Sequence, residues 1–347
     1  MRILFISPHP GFGGASTANR NMATMMASIG HDVVYMDEYL PSDIIVEGCV
    51  IDRTPIHANK CSQRVAKDYF ERNHFDIIFL GVPIIGLYYY SLFSKLKKRG
   101  VRICMVFHSL SLSNGLMAKI DEHLTDFAAK VATHLLFVSE FTKMSWRKYR
   151  NIRNLSNNSF VVYNAIKKYS WTRKKGTDVK RISFVGRLSP EKDPDLFCKL
   201  AVCKRNNGSA LQFNLYGDGP LMEQLKKEYS DEVTFHGFET DINKIYSNTD
   251  ILVMTSIFEN CPMAVLEAAS FGIPCIVPKV GGIPEIIKHG QNGLLYDERN
   301  PKRIAELLDE MIDNYSNYSD NAFKISNGYS FEEIQKVWNS VIYKIIS

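Results

Sequence analysis

The chain reads RISFVGRLSPEKDPDLFCKLAVCKRNNGSALQFNLYGDGP from Arg181 to Pro220. This stretch contains two short apolar runs, Ile182–Val185 and Phe213–Tyr216, without alternation of apolar and polar side chains. Uninterrupted apolar runs are typical of strands that are buried on both faces, as in parallel sheets. Because a polar turn and a helical stretch separate the two runs, we predict a strand–helix–strand unit with parallel strands.

The same layout recurs along the whole chain. Similar apolar runs occur at Ile3–Ile6, Val33–Tyr35, Ile77–Leu80, Ile103–Phe107 and Leu135–Val138 in the first half, and at Val233–Phe235, Ile251–Met254 and Cys275–Val277 in the second. About ten such strands are too many for one compact doubly wound sheet in a chain of 347 residues. We therefore predict an α/β fold with two Rossmann-like βαβ domains that face each other across a cleft.

The boundary between these domains is predicted near Val162–Gly176, which is polar, basic and without core periodicity. This division gives a first domain over 1–165 and a second over 166–330. Residues 331–347 form a last amphipathic helix, with one apolar face made by Phe331, Ile334, Val337, Trp338, Val341 and Ile345. Packing of this helix back on the first domain is one option, since the spacing alone does not identify its partner.

Composition and charge exclude several classes of protein. Hydrophobic residues make up 45% and charged residues 23%, which is ordinary for a globular chain and argues against disordered or fibrous proteins. The net charge of +5 is too small to predict nucleic-acid binding, but it is uneven, at +6 for residues 1–165 and −1 for the rest. The seven cysteines have no metal-binding spacing, so we expect reduced thiols in a cytoplasmic protein and neither a structural metal nor a disulfide framework.

Two segments bear on targeting. The N-terminal MRILFISPHP is interpreted as a first strand rather than a signal peptide, because its apolar run is short and no cleavage site follows. The uncharged stretch Ile77–Ser94 is long enough for a membrane span, but Gly81, Pro83 and Gly86 interrupt it. A buried strand before Gly81 is the favoured interpretation.

Ligands of parallel sheets bind at the carboxyl ends of the strands, so the residues after each apolar run are the candidates for function. Gly13 and Gly14 follow the first strand and precede a predicted helix, where they form either an anion-binding turn or a plain tight turn. Gly186, Arg187 and Lys192 follow the strand at Ile182–Val185. The two cations can converge on a diphosphate, with a solvated basic loop as the alternative.

A third candidate follows the strand at Ile251–Met254. A helix is predicted to open near Pro262, with the proline in its first turn, which leaves the amides of Met263 and Ala264 as a seat for an anion. Glu259 before this helix and Glu267 within it are suited to accept hydrogen bonds from sugar hydroxyls. Two surface carboxylates without such a role are the equal alternative.

The order of motifs over about 115 residues resembles the donor half of family 4 retaining glycosyltransferases, which have the GT-B architecture. The motifs are FVGRL at Phe184–Leu188 with Glu191-Lys192, YGDGP at Tyr216–Pro220, FHGF at Phe235–Phe238, Glu259 with Glu267, GIP at Gly272–Pro274, GGIPE at Gly281–Glu285 and QNG at Gln291–Gly293. The first half is similar more loosely, through Gly13-Gly14, His108, VSEFT at Val138–Thr142 and VYNAI at Val162–Ile166.

The resemblance implies roles for the candidates of the second half. Arg187 and Lys192 match the cations that neutralise the nucleotide diphosphate, while Glu267 matches the carboxylate that holds the ribose hydroxyls. Glu259 matches the residue that contacts the transferred sugar, helped by the amides that follow it. The donor-binding set also includes Gly186, Gly217, Gly219, Pro262, Met263 and Ala264.

In the first half, the resemblance implies that Gly13 and Gly14 allow the acceptor domain to close over the donor. His108 matches a histidine that faces the donor sugar near the reacting carbon, with a core histidine at a strand end as the alternative. Asp193-Pro194-Asp195 spells the metal-binding pattern of other transferases, but its place at a predicted helix start favours helix capping.

The implied activity is that of a hexosyltransferase. It moves a hexose or N-acetylhexosamine with retention from a nucleotide diphosphate sugar, most commonly a UDP-sugar, to a saccharide or lipid-linked saccharide in polysaccharide biosynthesis. Cations and a helix N-terminus at the diphosphate make a metal or other cofactor unnecessary. A GT-B-type nucleotide-sugar epimerase and a non-catalytic nucleotide-sugar binding module are the alternatives.

The basic first domain is the predicted acceptor domain. Tyr88–Tyr90 are followed by Lys95, Lys97, Lys98 and Arg99, a combination suited to peripheral contact with anionic lipid at the inner face of the membrane. A helix whose charged face is merely solvated is the alternative. The expected partners are therefore the donor, a saccharide or lipid-linked acceptor and a membrane surface, but no nucleic acid.

Overall fold

The computed structural model describes residues 1–8, 13–55, 60–109, 116–169 and 179–347. The chain divides into two compact units. Unit 1 comprises Met1–Ala165 together with Phe331–Ser347, and unit 2 comprises Ile166–Ser330. Part of the predicted linker, 170–176, and Pro10–Phe12 of the first glycine-containing loop lie outside the described residues.

The described part of unit 1 contains a seven-stranded parallel sheet in the order β3-β2-β1-β4-β5-β6-β7. Its strands are β1 Arg2–Ile6, β2 Asp32–Met36, β3 Cys49–Asp52, β4 Ile77–Leu80, β5 Arg102–Phe107, β6 His134–Phe137 and β7 Ser159–Val161. The five predicted strands are present. The edge strands β3 and β7 were missed because their side chains stay partly exposed and form no buried apolar run.

Helices connect these strands and cover the sheet. Those of unit 1 up to the last strand are α1 Gly14–Ser28, α2 Lys60–Arg72, α3 Ile85–Tyr88, α4 Tyr90–Lys98, α5 Leu116–Ala128, α6 Glu140–Trp146 and α7 Arg150–Asn154. The apolar stretch Ile77–Ser94 is divided among β4, α3 and the start of α4, so the interpretation as a strand is confirmed. None of the helices in the described part of the chain is long and apolar enough to cross a membrane.

Unit 2 contains a parallel sheet of six strands within its described residues, in the order β10-β9-β8-β11-β12-β13. The strands are β8 Arg181–Val185, β9 Gln212–Tyr216, β10 Val233–Gly237, β11 Ile251–Val253, β12 Cys275–Pro278 and β13 Gly293–Tyr296. The last strand was not predicted, since its apolar run covers only three residues after a glycine. The helices are α8 Pro194–Asn206, α9 Met222–Tyr229, α10 Ile242–Ser247, α11 Met263–Ser270, α12 Ile283–Ile286, α13 Pro301–Asp313 and α14 Tyr315–Ser326.

The last helix, α15 Phe331–Ile346, belongs to unit 1. Trp338 is fully buried, and its ring meets that of Phe79 from β4 edge to face at 5.8 Å between centroids. The predicted apolar face is wrong in one position, because Val337 is exposed while Ile342 is buried. The buried face of the helix is therefore made by Ile334, Trp338, Val341, Ile342 and Ile345.

Candidate active site

The loop after β8 carries the first two predicted cations. It passes Ser189 and forms a short 3-10 turn over Pro190–Lys192. The Ser189 hydroxyl donates to Glu191 Oε1 at 2.6 Å, and the Glu191 carbonyl accepts from the amide of Ile257 at 2.8 Å. The loop is thereby fixed against the segment that follows β11. The Arg187 side chain is exposed and pairs with no carboxylate among the described residues.

Lys192 and Glu259, predicted on separate loops, form an ion pair. Lys192 Nζ donates to Glu259 Oε1, and Ser256 Oγ donates to the same oxygen at 3.0 Å. The two charged side chains are only 28% and 13% exposed. Each charge thus compensates the other in a partly buried place, where a lone charge would be costly. An incoming diphosphate would compete with Glu259 for the ammonium group.

The backbone of Glu259 is held by the glycine pair that precedes α12. The amide of Gly282 donates to the Glu259 carbonyl at 3.0 Å. Gly281 has φ +56°, and a Cβ added there would lie 1.7 Å from the same carbonyl oxygen. Only glycine permits this approach without a shift of the backbone.

Arg299 supports the same segment, and no sequence motif pointed to it. Its guanidinium donates to the carbonyls of Thr255 at 2.6 Å and Ser256 at 3.1 Å, and it pairs with Asp193. The arginine therefore fixes the backbone of Ser256, whose hydroxyl in turn binds Glu259.

Helix capping, predicted for Asp193-Pro194-Asp195, is confirmed. Asp193 is the N-cap of α8, where its Oδ1 accepts from the amide of Leu196 at 3.4 Å. Asp195 pairs with Lys199 at 2.6 Å. Both carboxylates thus have structural partners. Elsewhere too, the described residues bring no three His, Cys, Asp or Glu side chains together as a metal site.

The N-terminus of α11 differs in detail from the prediction. Pro262 has an extended backbone with φ −68° and ψ 119°, so it is the N-cap residue and the first turn begins at Met263. The first intrahelical bond runs from the amide of Leu266 to the Pro262 carbonyl at 3.3 Å. The amides of Met263 and Ala264 lie before it and have no acceptor within the helix, as the anion seat requires.

Asn260 is a further polar residue at this place, and the sequence did not identify it. Its side chain is 4% exposed, and its Oδ1 accepts no hydrogen bond from the residues that the structure describes. A buried acceptor without a partner is costly. It lies between Glu259 and the start of α11, and a donor group of a bound ligand would satisfy it.

Glu267 lies one turn into α11, partly buried. It accepts a hydrogen bond at 3.0 Å from the hydroxyl of Tyr246, which also lies 3.2 Å from the Ala264 carbonyl. Burial raises the pKa of the Glu267 carboxyl above its usual range, and the bond from Tyr246 opposes this shift. Burial also raises the pKa of Tyr246, so its hydroxyl remains protonated and donates.

The glycines of the YGDGP motif have a structural explanation that the sequence did not reveal. Gly217 has φ +142°, and a Cβ added there would lie 1.8 Å from the Gly186 carbonyl oxygen. The amide of Leu188 also donates to the Asp218 carbonyl at 2.9 Å. Close packing of the loops after β8 and β9 thus requires Gly217. Added at Gly219, a Cβ would meet the Leu188 backbone. Donor contact by these glycines remains a prediction.

In unit 1, His108 follows β5 and contacts a buried asparagine of α1. Asn19 Oδ1 lies 2.8 Å from His108 Nε2, while Asn19 Nδ2 donates to Ser7 Oγ at 2.9 Å and lies 3.4 Å from the Gly81 carbonyl. Since that carbonyl only accepts, the amide must present its oxygen to the histidine. His108 Nε2 therefore carries a proton. Strand ends of β1, β4 and β5 meet at this cluster.

Gly13 and Gly14 lie exposed at the start of α1. Gly13 is the N-cap with an extended backbone, and a Cβ added to it would meet no atom within 4 Å. Neither packing nor backbone strain within the described residues requires glycine at position 13. A ligand role for this pair stays a prediction.

Part of the chain is similar to a known protein family. Residues 166–325 match the family model described as glycosyl transferases group 1. The O-antigen biosynthesis glycosyltransferase WbnH of Escherichia coli is 32% identical over 164 residues, which are 47% of this chain and 46% of the relative. The UDP-Gal:alpha-D-GlcNAc-diphosphoundecaprenol alpha-1,3-galactosyltransferase of Escherichia coli is 30% identical over 187 residues, 49% of this chain and 48% of the relative. The chain thus spans about half the length of these two relatives.

The fold extends over the whole chain. The crystal structure of Anabaena Alr3699/HepE in complex with UDP-glucose matches with a TM-score of 0.79 at 17% identity, covering 99% of this chain and 100% of that one. The prediction of two Rossmann-like α/β domains of the GT-B type is thereby confirmed as a fold. Within it, residues 166–325 are the part that is similar to the group 1 glycosyl transferases.

Proposed function

We propose that the protein is a retaining glycosyltransferase of family 4 that moves a hexose or N-acetylhexosamine from a UDP-sugar to a saccharide or lipid-linked saccharide. The observation that carries this function is the Lys192–Glu259 pair in the segment leading into α11, within a group 1 glycosyl transferase domain. It joins a cation, a carboxylate and free helix amides in one place. This combination suits a sugar bound to a diphosphate.

The reaction breaks the bond between the anomeric carbon and the diphosphate oxygen, and its electron pair leaves with UDP. Negative charge then grows on the diphosphate, where Arg187, Lys192 and the amides of Met263 and Ala264 stabilise it. Because these groups supply the positive charge, this function needs no metal ion. Glu259 accepts hydrogen bonds from the sugar hydroxyls, and Glu267 binds the ribose.

Retention follows from attack on the same face of the sugar. The acceptor oxygen bonds to the anomeric carbon, and its proton passes to the departing phosphate oxygen. This route requires no protein base. For His108, whose Nε2–H is bound to Asn19, the proposed role is to face the donor sugar near the anomeric carbon.

The comparisons support the substrate classes. A relative with 30% identity is named for transfer from UDP-Gal to a diphosphoundecaprenol-linked sugar, and HepE was crystallised with UDP-glucose. We infer a UDP-sugar donor for unit 2 and a lipid-linked saccharide as acceptor for unit 1, at the cytoplasmic face of the membrane in polysaccharide biosynthesis.

The test is incubation of the protein with radiolabelled UDP-sugars, with and without membrane extract, followed by separation of aqueous and lipid-extractable label. Transfer of label to an acceptor is expected. Isomerised donor without an acceptor would support the epimerase, and binding without conversion would support the non-catalytic module. Either of these results contradicts the proposed function.

A further inference from the structure

Helix α5 has its polarity reversed with respect to an ordinary surface helix. Two of its charged residues, Glu122 and Asp126, are buried, whereas a set of large apolar residues is 40% to 74% exposed. This set, here called the α5 stripe, is Leu116, Met117, Ile120, Leu124 and Phe127. Surface helices normally bury such a face against the core.

The buried carboxylates fix this orientation. Glu122 accepts from the hydroxyl of Tyr149 and lies 3.6 Å from Lys148 Nζ. Asp126 Oδ1 accepts from the amides of Asn151 at 2.9 Å and Ile152 at 3.0 Å, at the start of α7. Rotation of α5 to bury its stripe would take both carboxylates away from these partners.

The stripe is continuous along the helix. At 100° per residue, its five positions fall within an arc of about 100°, the width of an apolar face. At its C-terminal end, the ring of Phe127 lies 5.4 Å from that of Tyr90. A patch of this kind on one helix marks an interaction surface rather than scattered exposed residues.

Two lysines lie beside the stripe. Lys130 Nζ lies 4.0 Å above the Phe127 ring, and Lys119 flanks the stripe on α5 itself, with Asp121 on the opposite flank. The segment that binds Asp126 is also basic, since residues 141–155 include five Lys and Arg and no acidic residue. Met144 in this segment is 68% exposed. The stripe is thus an apolar surface that two lysines, Lys119 and Lys130, adjoin.

We propose that the α5 stripe docks unit 1 on a lipid bilayer with anionic headgroups. Apolar side chains enter the boundary between headgroups and acyl chains while the neighbouring lysines bind the headgroups, as in interfacial helices. A second copy of the chain fits less well, because a symmetric contact would bring the same cations face to face. An anionic bilayer complements both the apolar stripe and the charge.

Two residues of the segment predicted to touch lipid, Tyr89 and Lys97, have other partners or are buried, whereas Lys95, Lys98 and Arg99 are exposed. Tyr89 is buried, and Lys97 Nζ donates to the carbonyls of Lys130 at 3.0 Å and Ala132 at 2.6 Å. Tyr88 remains exposed and Tyr90 packs against the stripe. Helix α5 therefore supplies the apolar contact, and α4 supports it from the side.

The test is cosedimentation of the full chain with vesicles of phosphatidylcholine, with and without phosphatidylglycerol. Wild type should bind the anionic vesicles and dissociate as salt is raised. The double variant Ile120→Ser/Leu124→Ser should bind at least about tenfold more weakly. Lys119→Gln/Lys130→Gln should lose about fivefold for each cation and show a weaker salt dependence.

Controls separate docking from general changes of the surface. Ile45→Ser/Tyr343→Ser removes two other exposed apolar side chains of unit 1, and Lys226→Gln/Lys302→Gln removes two exposed cations of unit 2. Both should bind like wild type. Equal losses of vesicle binding in these controls would overturn the proposal. It would also be overturned if wild type bound no vesicles and formed a dimer, while Ile120→Ser/Leu124→Ser was monomeric. The assay contains neither donor nor acceptor, so its outcome does not depend on glycosyl transfer.

Discussion

The substitution Gly281→Ala tests whether the backbone of Glu259 must be held where it lies. The new Cβ would lie 1.7 Å from the Glu259 carbonyl oxygen, whereas real contacts of a Cβ are not shorter than 3.0 Å. The backbone segments at Gly281 and Glu259 must therefore separate by about 1.3 Å. A misplacement of about 1 Å in a catalytic group costs roughly 10²-fold in rate. We expect this loss in turnover of the UDP-sugar.

Gly290→Ala is the matched control in the same unit. Gly290 also has a positive φ, +76°, but an added Cβ would meet no atom within 4 Å. Both variants should lose about 1 kcal/mol of unfolding free energy from strain, because alanine is unfavourable in the left-handed region, and Gly281→Ala should lose more because of the clash with Glu259. Only Gly281→Ala should also lose activity.

The measurements are initial rates at saturating acceptor and thermal unfolding of both variants. UDP binding, followed by calorimetry, should change far less than turnover in Gly281→Ala, since the predicted contact of Glu259 is to the sugar. Equal turnover in the two alanine variants would refute the reasoning, because the close approach to Glu259 would then have no catalytic consequence.

Three further predictions concern the charges of the two units. Lys192→Met should lower turnover by about 10² to 10³, measured by initial rates, and a smaller loss would remove Lys192 from the diphosphate site. Calorimetry should also show a lower unfolding temperature, because Glu259 loses its partner in a partly buried place. Because the pKa of Glu267 is raised in the folded state, protonation of this carboxyl stabilises the fold. This contribution is fully present below pH 4.5, the ordinary pKa of the group, and disappears as the pH rises through the raised folded-state pKa. The unfolding free energy of wild type minus that of Glu267→Gln, measured by urea titration, should therefore fall as the pH rises over that range. A difference that does not change with pH would contradict the raised pKa of Glu267. Asn19→Leu should lower turnover about as much as His108→Leu, because the asparagine acts by holding the histidine ring. The double variant should then show no additional loss. Additive losses in rate assays would mean that the two residues act independently.

The interior of both sheets was predictable because each central strand is buried on both faces. The run Ile77–Leu80, for example, is fully buried in β4, as is typical of a strand that is covered on both faces. An edge strand has only one neighbour and faces solvent with part of its side chains. Strand β3, Cys49–Asp52, therefore carries too weak a pattern for prediction from sequence.

The candidate site was predictable where it lies directly after a strand. Lys192 and Glu259 were found for this reason, as both follow strands of one parallel sheet. Their contact with each other was not predicted, since spacing along the chain gives no distance between two loops. Tyr246 and Arg299 were missed because each reaches the site from a separate element, and only the folded chain brings them near Glu267 and Ser256.

The uneven charge of the chain bears on the proposed docking of the α5 stripe to a bilayer. Unit 1 carries a net +6 and unit 2 a net −1. An apolar stripe without charge would bind any apolar surface, including another copy of itself, whereas like charges oppose self-association and favour an anionic bilayer. Because salt screens charges beyond about 8 Å at physiological ionic strength, distant cations contribute little at the bilayer surface. The affinity for anionic vesicles should therefore follow Lys119 and Lys130, which adjoin the stripe, rather than the net charge of the unit.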